Sequence, residues 1–220
     1  MKRLLLLPIL ALLAACTPKA ERLQTGDLIF VGIPADYSLD RSSMEEAISA
    51  ATGSADKLNL NLIHTAIAEV DGEGRAWIID ATIKHGVDRH PLDTFLRDFT
   101  LRDGSYPVFE VMRLKDNRDV ANFVENAKTH LGLPYDVSFL PDNGAYYCTE
   151  LVYDSYLDRA GNPLFHAALM NFKDADGEFP LYWQQLFSRL GEPIPQGIPG
   201  TNPQGMAGEA ILRKVNVLIP

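Results

Sequence analysis

Asn61-Leu62-Ile63-His64-Thr65-Ala66-Ile67-Ala68-Glu69-Val70, then Asp71-Gly72-Glu73-Gly74, then Ala76-Trp77-Ile78-Ile79-Asp80-Ala81 is the stretch on which the fold turns. Residues 61–70 read as a strand with Leu62, His64, Ala66, Ala68 and Val70 on one side and Ile63, Thr65 and Ile67 on the other. Both sides are largely apolar, as in a strand covered on both faces, so it is expected near the centre of its sheet. The Asp- and Gly-rich segment turns the chain, and residues 76–81 return as the second strand of a hairpin. Two polar side chains interrupt these apolar runs, His64 and Asp80. They share a face only if paired positions sum to an even number, which requires an odd-numbered loop or a bulge at 71–74. A plain four-residue loop pairing Val70 with Arg75 would put them on opposite faces. The glycines of the turn make an irregular loop credible.

Outward from the hairpin, 26–31 reads as a buried strand after a turn, and 108–114 and 211–219 as further strands. Ser42-Ser43-Met44-Glu45 is a capping box opening a helix through Ala47, Ile48 and Ala51 to a stop at Gly53. Pro91 starts a short helix with Leu92, Phe95, Leu96 and Phe99 at helical spacing. Asp116 or Asn117 caps a helix bearing Val120, Phe123, Val124, Ala127 and Leu131, ended by Gly132. Cys148 opens another, with Leu151, Val152, Ser155 and Tyr156 on one side, and 184–190 has helical character. Residues 191–209, rich in Gly, Pro and Gln, read as a loop packed on the body. The fold class is α+β, an antiparallel sheet packed against helices.

With 220 residues, 46% of them hydrophobic, the chain suits one generous domain at roughly 150 residues each. Lys2 and Arg3 followed by the apolar run 4–13 form a signal peptide over residues 1–15, since the run is about half of the roughly 20 residues that span a bilayer. The ending Leu13-Ala14-Ala15-Cys16 resembles the lipobox of bacterial lipoproteins, making Cys16 the lipidation site, 16–22 a short tether and 23–220 a single domain. An ordinary secretory signal with an incidental cysteine is the alternative. Without an Asp at position 17, the analogy points to the outer membrane, facing the periplasm. Without Lys2 and Arg3, eighteen basic residues stand against 29 acidic ones, or −11. Such a surface repels polyphosphates, and no nucleic-acid partner is expected.

Two cysteines cannot make a disulfide framework. With Cys16 carrying lipid, Cys148 is the one remaining thiol of an exported chain, either a reactive group or a small buried hydrophobe. At the start of a helix, unpaired N–H groups and the macrodipole favour a thiolate and could also hold an oxyanion. His64 is the candidate base, although a lone histidine on an apolar strand is commonly a core residue. Asp80 is the candidate third member, because an acid in an apolar strand needs a partner. Glu150, two residues past Cys148 on a helix, points away from the thiol toward backbone or solvent. Tyr147 either lines the pocket or packs. Lys84-His85-Gly86-Val87-Asp88-Arg89-His90 has some look of a metal site, but two histidines in a charged loop read as a solvated edge, and no metal is expected.

Gly26-Asp27-Leu28-Ile29-Phe30, the His64 strand with Trp77-Ile78-Ile79-Asp80-Ala81, Gly86-Val87, Gly132-Leu133-Pro134-Tyr135-Asp136 and Tyr147-Cys148-Thr149-Glu150-Leu151-Val152-Tyr153 together resemble the permuted papain-fold amidases of the NlpC superfamily, YiiX/YaeF branch. The resemblance runs over residues 23–160, and Gly200-Thr201-Asn202-Pro203 looks like a family feature nearer the C-terminus. It implies a circularly permuted papain-like (NlpC-type) fold in which the histidine strand precedes the cysteine helix. Position by position, Cys148 matches the nucleophile, His64 the base and Asp80 the third polar member, whose identity varies across the superfamily. Thr65-Ala66-Ile67 follows His64 where Val-Gly-Ile is more usual.

The function expected is a lipid-anchored cysteine hydrolase that cleaves an amide at the cell envelope, such as a cell-wall peptide, through a Cys-His-Asp acyl-enzyme and without a cofactor. Its membrane contact would be the N-terminal lipid alone. An apolar tunnel beside Cys148, instead of an open polar groove, would favour a lipid-directed amidase, thioesterase or acyltransferase. A non-catalytic envelope-binding lipoprotein is the reading outside the enzymes; an inert Cys148 far from His64 would support it.

Overall fold

The hairpin forms the middle of a six-stranded antiparallel sheet in a computed structural model that describes residues 20–34, 37, 43–52 and 60–219. The leader, Cys16, Ser42 and Gly53 lie outside the described residues. In chain order the first elements are β1 (Leu28–Pro34), α1 (Met44–Thr52), β2 (Leu60–Val70), β3 (Ala76–Thr82), β4 (Gly86–Pro91), α2 (Leu92–Asp98) and β5 (Val108–Leu114). Then come α3 (Val120–Thr129), α4 (Cys148–Ser155), β6 (Ala168–Leu169), α5 (Leu181–Leu190), β7 (Pro199–Gly200), α6 (Pro203–Ala207) and β8 (Leu212–Val215). The main sheet runs β4-β3-β2-β1-β5-β8, so β2 is internal, and β6 and β7 pair separately. This is the expected α+β architecture.

The hairpin takes the even register. Val70 faces Ala76 and Ile67 faces Ile79, which closes an odd loop over residues 71–75. Asp71 builds that loop: its Oδ1 accepts from the Glu73 and Arg75 amides at 2.9 and 3.0 Å, and its Oδ2 from the Trp77 indole at 3.0 Å. Gly74 supplies the left-handed residue at φ 81°. Continued toward the site, the register sets Asp80 opposite Ala66, so Asp80 reaches His64 on the diagonal.

One expectation about faces is corrected. β1 pairs Val31 with His64 but Gly32 with Leu62, so Ile63 is an extra residue in β2. Across that bulge the alternation slips. Leu62 packs with Ile67, while Ile63 packs with Ala66 and Ala68 on the side His64 occupies. Leu62 N–H donates to the Gln204 side chain at 3.4 Å, tying the bulge to α6.

The second correction is β4. Residues 86–91, expected as a solvated loop, form an edge strand that pairs Ile78 with His90 and Asp80 with Asp88. Polar side chains hid it, because an edge strand needs no apolar alternation on its open side. Three boundaries also shift. The α1 cap is Ser43, whose Oγ accepts from Glu46 N at 3.1 Å; α3 is capped at Asp119; and 191–209 contains β7 and α6.

Both faces of the sheet are covered. One carries α3, α4 and α6 through Phe123, Val124, Leu151, Val152 and Met206; the other carries α2 through Phe95 and Leu96. A third cluster joins α1 to α5 through Ala47, Trp183 and Phe187, together with Phe139, Tyr147 and Phe172. Asp27, fully buried, receives two bonds from Arg113 at 2.6 and 2.8 Å, joining the entry of β1 to β5. Glu21, within the expected tether, also accepts from Arg113, at 2.9 Å.

Candidate active site

Cys148 is the first residue of α4 and is 6% exposed. Tyr147 precedes it in an extended conformation (φ −91°, ψ 168°), which breaks the chain into the helix at the cysteine. The first intrahelical bond runs from Leu151 N to Tyr147 O at 3.0 Å, so the Cys148 and Thr149 amides are left without a backbone acceptor. Those donors, with the helix dipole behind them, favour negative charge at the sulfur and at any oxygen placed beside it. Glu150 behaves as its helical angle implies. Its Oε2 accepts the Tyr147 amide at 3.4 Å, away from the thiol, and burial pushes its carboxyl up to about 8.

His64 comes to the cysteine from β2. Its Nε2 lies 2.8 Å from Asp80 Oδ2, with Asp80 1% exposed, which leaves Nδ1 as the other working nitrogen. The Cys148 side chain lies close enough to the same imidazole to act on its charge. Burial pulls the His64 ring toward neutrality, but the charge of the Cys148 sulfur and the hydrogen bond the ring makes to Asp80 outweigh it and raise the ring to about 10. The imidazole therefore stays protonated through neutral pH. Phe99, with its ring 4.7 Å away, and Phe95 at 6.3 Å wall the ring from solvent.

The three candidate residues are thus in one place, with the histidine between the thiol and the carboxylate. Two spaces open beside them. One, about 60 Å³, touches Cys148 and is walled by Phe139, Tyr147, Met170, Phe172 and Trp183. The other, about 350 Å³, touches His64 and carries Glu45, Lys84, Arg97 and Asp98. Ile48, Ile63 and Tyr135 border both. Tyr147 does line the first space, and its hydroxyl accepts the Thr201 amide at 3.1 Å, which docks the Gly200-Thr201-Asn202-Pro203 segment.

Two neighbours escaped the sequence reading. Tyr135 stands in a quoted motif without a role; burial and the Cys148 sulfur push its hydroxyl well up, and it lines both spaces. His90, expected on a solvated edge, is only 7% exposed and stands 3.7 Å from Asp80 Oδ1. The alternation of 86–91 across the β3 register was the signal available for it.

A histidine strand that precedes a cysteine helix, on an antiparallel sheet with helices over both faces, defines the permuted papain-like class. The family model of the permuted papain-like amidase enzymes, YaeF/YiiX, C92 family, matches residues 22–216, and the chain belongs to that family. It is 28% identical over 198 residues to the uncharacterized protein YiiX of Escherichia coli (strain K12), a match covering 90% of this chain and 88% of that protein. A crystal structure described as the metalloprotein YiiX of Escherichia coli O157:H7 is similar with a TM-score of 0.66 and 25% identity, over 91% of this chain and all of that one.

Proposed function

We propose that this protein is a cysteine amidase of the cell envelope that works through an acyl-enzyme on Cys148. The carrying observation is His64 held by Asp80 at 2.8 Å on one nitrogen, with the Cys148 side chain, at a helix N-terminus, close enough to act on the same ring. Cys148 Sγ attacks the amide carbonyl carbon, and the carbonyl oxygen gathers charge beside the free amides of α4. His64, protonated by the sulfur's departure as thiolate, gives its proton to the leaving amine as the C–N bond breaks. It then takes a proton from the water that hydrolyses the thioester, which frees the acid and restores the thiol. Asp80 fixes which nitrogen faces the sulfur. Anchoring through Cys16 completes the reading, and a Cys16→Ser variant should leave the membrane fraction.

The experiment is capture from envelope extracts with wild type against Cys148→Ala, and mass spectrometry of the trapped acyl group. A thioester confined to the wild type is the expected result; no adduct, with Cys148 no more reactive to iodoacetamide than a free thiol, would defeat the reading. One observation favours the lipid-directed version of this chemistry over a cell-wall peptide. The space touching the sulfur is aromatic and apolar, while the polar groups collect on the far side of Ile63 and Tyr135. An acyl group that seats an apolar moiety beside Cys148, with the amine over the charged side, fits this division.

The relative described as a metalloprotein raises the question of an ion. The residues present do not fit one. Among the described residues no group of three His, Cys, Asp or Glu side chains is placed to hold a metal. His64 and His90 aim at different oxygens of Asp80, 2.8 and 3.7 Å away, so the carboxylate bridges them where a shared ion would need their nitrogens to converge.

A further inference from the structure

Asp80 has two histidines, and only one of them belongs to the machinery described so far. β3 lies between β2 and β4, and its register puts Asp80 on a diagonal to His64 on one side and to His90 on the other. His90 is more than nine-tenths buried, and neither of its ring nitrogens has a hydrogen-bond partner; Asp80 Oδ1, buried with it, has none either. These two unpartnered groups face each other at 3.7 Å. Behind His90, Nδ1 stands 3.5 Å from Asp88 Oδ2, and the imidazole stacks on Phe95 at 18° between planes. The other titratable ring near it is His85, at 6.5 Å. A run of alternating acid and imidazole, Asp88, His90, Asp80 and His64, thus crosses three strands and ends beside Cys148 on α4.

We propose that His90 is a positioning residue for the candidate site, donating from Nε2 to Asp80 Oδ1 so that Asp80 Oδ2 stays on His64. This rests on the Cys-His-Asp reading above. A carboxylate with a single partner can rotate about its Cβ–Cγ bond; a second donor on its other oxygen removes that freedom and fixes the His64 ring with it. The remaining gap is about an ångström, and such bonds commonly tighten when substrate fills the site. A solvated histidine has no reason to be walled by Phe95 with both nitrogens idle, whereas a donor held in reserve for Asp80 does.

The test is the pH profile of Cys148 alkylation by iodoacetamide in the full chain. His90→Phe keeps the stacked ring and removes the donor; His90→Gln returns an amide N–H at the distance of Nε2; His90→Asn carries its amide only as far as Nδ1. We expect His90→Phe and His90→Asn to lose about tenfold in rate near pH 7 with the profile displaced, and His90→Gln to stay within about twofold of wild type. Should His90→Phe fail to fold by circular dichroism, His90→Asn against His90→Gln decides on the same criterion. A donorless variant with the wild-type profile, or a glutamine variant as impaired as the donorless one, overturns the proposal. An unreactive wild-type Cys148 instead overturns the amidase reading beneath it, so the two failures are distinguishable.

Discussion

His64 is caught between forces of opposite sign. Burial favours the neutral ring, and the charge of the nearby Cys148 sulfur with the Asp80 carboxylate on one nitrogen favours the charged one; the second pair prevails and raises the ring to about 10. Raised above its ordinary 6.5, it contributes stability that is complete below that pH and lost as pH climbs toward 10. Denaturant midpoints should therefore fall across that window in the wild type, and fall less in Cys148→Ala, which lacks the largest upward influence. Ring NMR signals of His64 should stay flat from about pH 5 to 8 in the wild type and shift to a lower midpoint in Cys148→Ala; equal midpoints in the two proteins would contradict this. On the proposed acyl-enzyme mechanism, His64→Ala should cost about 10²–10⁴ in kcat/KM as the proton carrier is lost. Asp80→Asn should lower kcat far more than it raises KM, because the amide misdirects the ring without touching substrate.

The elements hold the site through a few backbone devices. β4 is fastened to the segment after α3 by Val87 N to Leu133 O at 2.8 Å and Gly132 N to Val87 O at 2.9 Å, which joins the Gly86-Val87 and Gly132–Asp136 motifs directly. Gly86 sits at φ 67°, and a Cβ there would lie 2.3 Å from the Leu133 carbonyl oxygen. Gly86→Ala should thus cost about 1–3 kcal/mol in urea unfolding, and by displacing β4 it should slow Cys148 alkylation as well. The hairpin was legible to the level of its parity: two buried polar residues on one strand pair demand a common face, and Asp71 with Gly74 delivers the odd loop. The bulge at Ile63 was not legible, because it answers to β1 and to Gln204, both far away in the chain. β4 was missed for a related reason, since a polar edge strand is specified by its neighbour more than by its own residues.

At the scale of the molecule, Asp27 and Arg113 tie the two halves of the sheet. Asp27, in the Gly-Asp-Leu motif, is fully buried, and Arg113 meets it through two nitrogens while a third bond goes to the Arg22 carbonyl at 3.0 Å. Asp27→Ala leaves the buried guanidinium with only Glu21 and the Arg22 carbonyl, and unfolding should register a loss of about 3 kcal/mol, while replacement of both partners by apolar residues should recover most of it. Tyr156 continues the brace: its hydroxyl donates to the Gly26 carbonyl at 3.1 Å, linking the end of the cysteine helix to the entry of β1. The helix that carries Cys148 is thereby referenced to the same sheet that carries His64.

The sequence by itself determined the local pieces: the strands of apolar pattern, that Cys148 begins a helix, that His64 and Asp80 share a strand pair, and, through its motifs, the family. These follow from short-range rules of periodicity, capping and turn chemistry that neighbours in the chain can settle. Only the tertiary structure decided that the thiol meets the imidazole, that aromatic side chains from distant segments close an apolar space over the sulfur, and that His90 is interior. Each depends on residues tens of positions apart being brought within bonding distance, and no local preference encodes where a chain will return.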